Sequence, residues 1–177
     1  MDNYLLMKKS PELVVFSNSL GFEKTFFLGE QFILLESKSK KELLKKTLEA
    51  KQKGLLVVYR VQDEELLRFA LEKTPVDVIL GIENIHAKDS MHYVRGGLDQ
   101  ILCKIAAEQG KLIGFSFAEL LNSARPANWL RRVKANVKLC QKYKVKLLFS
   151  TFAAAKMELR SRKDLEAFSR ILSITTL

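Results

Sequence analysis

Short apolar runs separated by polar, charged or glycine-containing stretches recur along the whole chain, and their period alternates between that of a strand and that of a helix. Asn3–Met7 (NYLLM), Leu13–Phe16 (LVVF), Phe32–Glu36 (FILLE), Leu55–Tyr59 (LLVVY), Val76–Ile82 (VDVILGI), Lys111–Phe117 (KLIGFSF) and Val145–Ser150 (VKLLFS) read as seven strands. Ser17–Gly21 is turn-forming. Ser39–Lys53 places Leu43, Leu44, Thr47 and Leu48 on one side among lysines, an amphipathic helix closed by Gly54. Asp63 predicts the N-cap of a helix over Glu64–Lys73. Thr74-Pro75 ends that helix, because the residue before proline disfavours helical geometry.

The richest stretch is Arg95–Leu121. After Gly96-Gly97, Leu98, Ile101, Leu102, Ile105 and Ala106 form one apolar stripe, with Asp99 in the first turn at the positive end of the helix dipole. Gly110 can take the left-handed position that closes the helix, and Ala118–Asn122 opens another helix after the next strand. Ala127–Tyr143 is a long helix with Leu130, Val133, Val137 and Cys140 on its apolar side. Arg131, Lys134, Lys138 and Lys142 follow at i, i+3, i+7 and i+11 on the opposite side, with Arg132 beside them. Ser161–Asp164 resembles a capping box before a helix ending near Ser173. Repeated strand–helix alternation predicts a parallel α/β sheet in one domain over residues 1–177. Periodicity alone leaves a closed β/α barrel and an open doubly wound sheet both standing.

With 47% apolar and 28% charged residues, the composition is that of a soluble globular domain. No apolar run approaches the roughly 20 residues of a membrane span, and Asp2 stands where a signal peptide would carry positive charge. A cytoplasmic protein without a membrane partner is expected. Cys103 and Cys140 fall on apolar helix positions, as reduced core thiols would.

Charge changes the picture more. Arg125–Lys163 holds twelve basic residues against one acid, Glu158, a net of +11; the whole chain carries +10, so the remainder is −1. Such clustering suits a polyanionic partner. No acid balances the stripe Arg131, Lys134, Lys138 and Lys142, and the charge continues through Lys144, Lys146, Lys156, Arg160 and Arg162. This favours contact with a phosphate backbone over a merely solvated face. Phe115, Phe117, Phe149 and Phe152 lie in or beside strands, which points to backbone and shape recognition rather than base stacking.

Arg95 precedes a glycine pair at a strand-to-helix connection, where α/β ligand sites collect; an anion contact and a pairing with Asp99 are both open. Catalytic chemistry finds little support. The two histidines, His86 and His92, share the irregular loop Glu83–Val94 without a His-x-His pair. Glu83 and Asp99 could line a barrel mouth but form no recognisable acid–base constellation, and no phosphate-binding glycine loop or nucleophile elbow is present.

RGGLDQILCKIA followed by IGFSFAELL, and LLFSTFAAAKMELRSRKDLEAF further on, resemble the signature segments of the ribonuclease P protein component 3 family, over roughly Val76–Ser173. Gln100 departs from the histidine that members often carry after the signature aspartate. The resemblance implies a small TIM-like barrel, related to PHP phosphoesterases, of about seven mainly parallel strands. It implies a protein subunit of an RNA enzyme that removes the 5′ leader of precursor tRNA. Its partners would be ribonuclease P RNA, ribonuclease P protein component 2 and the other ribonuclease P proteins, and precursor tRNA within the holoenzyme. Catalysis would rest with the RNA and its Mg2+, and this chain would bind no metal or other cofactor. RNA contacts would fall at Arg95, Arg131, Arg132, Lys134, Lys138, Lys142, Lys156, Arg160 and Arg162, with Gly96, Gly97 and Asp99 shaping the helix start. A divergent metal-dependent PHP-type phosphoesterase is the alternative, which the scarcity of histidines opposes.

Overall fold

Ser10 and Pro11 decide the first departure from these expectations. The Ser10 hydroxyl accepts from Leu13 N at 3.3 Å and Pro11 occupies the first helical turn, so Pro11–Ser19 is a helix, α1. The run LVVF is therefore not a strand. Leu13 and Ser17, four residues apart, face inward, and Val15 is left 69% exposed. The strand missing from the expected seven is Thr25–Phe27, three residues long and too short to show a period.

The computed structural model describes residues 1–174. Its strands are β1 (Asn3–Leu5), β2 (Thr25–Phe27), β3 (Phe32–Leu35), β4 (Leu56–Arg60), β5 (Val78–Leu80), β6 (Leu112–Ser116) and β7 (Leu147–Ser150). Its further helices are α2 (Lys40–Gln52), α3 (Glu64–Lys73), α4 (Gln100–Glu108), α5 (Phe117–Leu121), α6 (Pro126–Lys142) and α7 (Arg162–Ile171). Every pairing is parallel: β1 with β2, and β3 to β7 in sequence order.

Two single bridges join these sheets into a ring. Leu5 pairs with Ala153, where Leu6 N donates to Ala153 O at 2.8 Å, and Leu28 pairs with Phe32. The result is a closed β/α barrel. The step from β2 to β3 takes only Leu28–Gln31 and carries no helix.

One apolar cluster draws on all seven strands and on no helix: Tyr4, Phe26, Phe32, Val58, Val78, Leu80, Leu112, Leu148 and Phe152 belong to it. It is the filled interior of the barrel. Tyr4 stacks on Phe26 with centroids 4.6 Å apart, and Phe152 lies 5.5 Å away on the same ring. Gly114 makes room for this packing, since a Cβ there would fall 2.6 Å from Leu80 Cδ2 and 2.9 Å from Val78 Cγ1. The alternate strand positions Tyr59, Ile79, Ile113, Phe115 and Phe149 pack outward against Leu43, Leu67, Leu71, Cys103, Ala106, Val133 and Val137 of the helices.

Local signals behaved as chemistry dictates. Asp63 and Ser161 cap α3 and α7, accepting from Leu66 N and Asp164 N. Asp99 is itself the N-cap of α4, accepting from Leu102 N at 2.7 Å, rather than a first-turn residue. The buried face of α4 is rotated from the expected stripe: Leu102, Cys103 and Ala106 are buried, and Ile101 is 52% exposed.

Candidate nucleic-acid interface

The connection from β5 to α4, residues 81–99, is the longest irregular segment, and α6 holds it in place. Arg132 and Asn136, one helical turn apart, do the holding. Arg132 Nη1 donates to the carbonyl oxygens of Glu83 and His86 at 2.9 and 2.7 Å, and its Nε donates to Asp89 Oδ1 at 2.8 Å. Asn136 Nδ2 donates to Gly96 O at 2.7 Å. The glycine pair permits this approach. A Cβ on Gly96 would fall 2.2 Å from Asn136 Oδ1; one on Gly97, whose φ is +91°, would fall 2.4 Å from Ile82 O.

Arg132 is thus buried and engaged through Nε and Nη1, which corrects its expected place beside the exposed basic stripe: its helix position turns it towards the 81–99 segment instead. Sequence reasoning missed Asn136 and Asp89. Asn136 carries a signal, a polar residue one turn from Arg132 on the apolar side of the helix; Asp89 carries none.

The stripe itself forms as the spacing requires. Arg131, Lys134, Lys138 and Lys142 are all exposed on one face of α6. Arg131 lies 3.6 Å from Asp89, whereas Lys134, Lys138 and Lys142 make no ion pair among the described residues. Burial opposes ionisation of Asp89, but the Arg95 N–H and the guanidinium groups of Arg132 and Arg131 hold its carboxyl below the usual range. The same carboxylate accepts from Arg95 N at 3.1 Å. The Arg95 side chain is exposed, lies 5.8 Å from the centre of the Tyr93 ring, and makes no ion pair with Asp99.

The remaining cations sit on the β7–α7 connection and the first turn of α7 and are tied down to different degrees. Lys156 pairs with Glu12 at 3.0 Å and Arg162 with Glu23 and Glu166 at 2.6 and 2.7 Å. Arg160 Nη1 donates to Met157 O and Leu159 O at 2.9 and 2.7 Å.

No family model matches the chain. It is 35% identical over 113 residues to ribonuclease P protein component 3 of Methanosarcina mazei, covering 63% of this chain and 44% of that protein. It is 27% identical over 155 residues to component 3 of Archaeoglobus fulgidus, covering 84% of this chain and 71% of that protein. A chain in the cryo-EM structure of archaeal ribonuclease P with mature tRNA superposes with a TM-score of 0.74 at 22% identity, over 98% of this chain and 73% of that one. The chain is similar in sequence to these ribonuclease P component 3 proteins. The match to the Methanosarcina relative spans less than half of that protein's length. An amidohydrolase crystal structure shares the barrel more distantly, with a TM-score of 0.51 at 15% identity over 76% of this chain and 32% of that one.

In this chain an ion-pair cluster stands at the carboxyl-terminal mouth of the barrel, where barrel enzymes place their chemistry. Arg60, at the end of β4, lies 2.9 Å from Glu36 and 3.3 Å from Glu119. Asn84 Nδ2 donates to Glu119 Oε2 at 3.0 Å. Glu83 lies beneath, 1% exposed; burial, then the neighbouring Glu119 charge, pushes its pKa up to about 8. Burial raises Glu119 as well, against the pull of Arg60. The histidines do not converge. His86 meets Glu64 at 3.0 Å and His92 is exposed. Among the described residues no three His, Cys, Asp or Glu side chains gather as metal ligands would.

Proposed function

We propose that this chain is a protein subunit of ribonuclease P, supporting a catalytic RNA in the endonucleolytic removal of the 5′ leader from precursor tRNA. The observation that carries this reading is the exposed α6 face: four cations on one side of a helix, three of them without an acidic partner among the described residues. A row of cations along about three helical turns, most of them unpaired, is a surface for a phosphate backbone. Similarity to component 3 proteins supports the assignment of that backbone to ribonuclease P RNA. Arg131, Lys134, Lys138 and Lys142, with Arg95 beyond Asp89, carry the contact. Protein component 2, the other ribonuclease P proteins and precursor tRNA complete the assembly, and the Mg2+ of the reaction belongs to the RNA. A cytoplasmic site of action goes with that assembly. No described helix is long and apolar enough to cross a membrane.

A PHP-type phosphoesterase would need its metals at the barrel mouth, where Arg60 and its two carboxylates stand. The deciding experiment is precursor-tRNA cleavage by reconstituted RNA and proteins, with and without this chain, and by this chain alone. Stimulation that requires the RNA subunit is expected. Cleavage by the isolated protein, abolished by EDTA, would replace this reading with the phosphoesterase one.

A further inference from the structure

The α6 face explains phosphate contacts, but the neighbouring loop offers a surface of another kind. Tyr93 is 60% exposed and Ile101 52% exposed. Both line a cleft of about 580 Å³ together with Arg95, Arg68, Glu64 and Asp99. That volume lies within the roughly 300–1,000 Å³ of small-ligand sites. The Arg95 guanidinium stands over one face of the Tyr93 ring, 5.8 Å from its centre, and the ring remains largely exposed.

This surface is held in place. The Arg95 N–H is bonded to Asp89, Asp89 to Arg132, and Gly96 O to Asn136, so backbone on the carboxyl side of Tyr93 is anchored to α6. Asp89 also pairs with Arg131, which ties the loop carrying Arg95 to the basic face of α6.

We propose that the cleft seats one unpaired nucleotide of the RNA, with its base on Tyr93 and Ile101 and its phosphate on Arg95. This rests on the ribonuclease P reading and adds to it a base-contacting site. An aromatic ring, an aliphatic side chain and an arginine fork match the flat apolar faces and adjoining anion of a nucleotide. Glu64 and Asp99 supply acceptors at the rim for exocyclic amines. Bases inside a duplex keep their faces stacked on each other and cannot use such a platform, so the site selects a loop or bulge.

The test uses the full chain and two RNA probes: an unstructured oligoribonucleotide with a central 2-aminopurine, and a hairpin duplex. Wild type and Tyr93→Phe should quench the 2-aminopurine on binding. Tyr93→Ala, at an exposed position and with unchanged thermal unfolding, should abolish the quench and weaken binding of the unstructured probe roughly tenfold, leaving duplex affinity unaltered. Lys134→Glu with Lys138→Glu should weaken both probes and leave the quench at saturation intact. Equal quenching by Tyr93→Ala and wild type would overturn the proposal. Duplex binding without any quench by wild type would also overturn it, assigning the cleft to a protein partner while the subunit reading stands. Failure of wild type to bind either probe would remove the RNA-binding reading on which the proposal rests.

Discussion

Arg132 Nε donates to Asp89 Oδ1 at 2.8 Å, joining residues 43 positions apart in the chain. That bond separates two adjacent arginines into different roles. Arg132, with its Nη1 on the Glu83 and His86 carbonyls, is part of the scaffold, while Arg131 lies on the exposed face of α6. The basic surface and the loop that carries Arg95 are therefore one mechanical unit.

Arg132→Ala should lower unfolding stability by about 3 kcal/mol, because it leaves the Glu83 and His86 carbonyl oxygens without the Arg132 donor in a largely buried setting and takes from Asp89 its nearer cation. Arg131→Ala should change it by less than about 0.5 kcal/mol, as exposed substitutions do. Urea unfolding of both variants makes the comparison. Equal losses would mean that the buried network is not what holds residues 81–99.

Gly96→Ala tests the same joint from the other side. The new Cβ would have to displace the Asn136 amide from 2.2 Å, with the Arg132 carbonyl only 3.3 Å away. A loss of about 1–3 kcal/mol is expected from such overpacking. Gly110→Ala is the control, since its Cβ would meet nothing within 4 Å and it bears only the strain of φ +64°. A Gly96→Ala protein no less stable than the control would refute the close approach.

Reversing Lys134 and Lys138 to glutamate should weaken RNA binding and flatten its salt dependence. The slope of log affinity against log salt should fall by about 2, close to one unit for each phosphate that is no longer neutralised. Both side chains are exposed, so thermal unfolding should be unchanged. An unaltered slope would exclude this face from the RNA interface.

Glu83 sets a pH dependence. Its folded pKa of about 8 lies above the ordinary carboxyl value of 4.5, so the folded state retains a proton that the unfolded state releases. Stability associated with the protonated carboxyl is complete below pH 4.5 and is lost as pH rises towards 8. The slope inside that window approaches about 1.4 kcal/mol per pH unit. Glu83→Gln, neutral at every pH, should flatten this slope, leaving the part carried by the raised Glu119 carboxyl, and be more stable than wild type at about pH 8. Chemical unfolding from about pH 5 to about pH 9 measures it, and parallel profiles for the two proteins would contradict a buried protonated Glu83.

Much of the architecture was legible locally. Asp63, Ser161 and Gly110 announce helix ends because capping involves only a few neighbouring backbone groups, and six of seven strands show as apolar runs. Leu13–Phe16 misled because a four-residue apolar run suits either state; the Ser10 cap and Pro11, rather than the β-branched residues, decided it. The α6 stripe was readable because helical spacing alone places Arg131, Lys134, Lys138 and Lys142 on one side.

The sequence by itself determined the alternation of strands and helices, the basic face of α6 and the requirement for glycine somewhere in the Arg95–Asp99 corner. Periodicity, capping and charge clustering are properties of neighbours along the chain. Only the tertiary structure decided that the ring closes through Leu5–Ala153 and Leu28–Phe32, that Arg60 stands between Glu36 and Glu119 at the barrel mouth, and that Arg132 serves the scaffold. Each of these depends on groups from separate elements meeting in space. There the partner of a charge is set by packing, and no spacing in the chain encodes it.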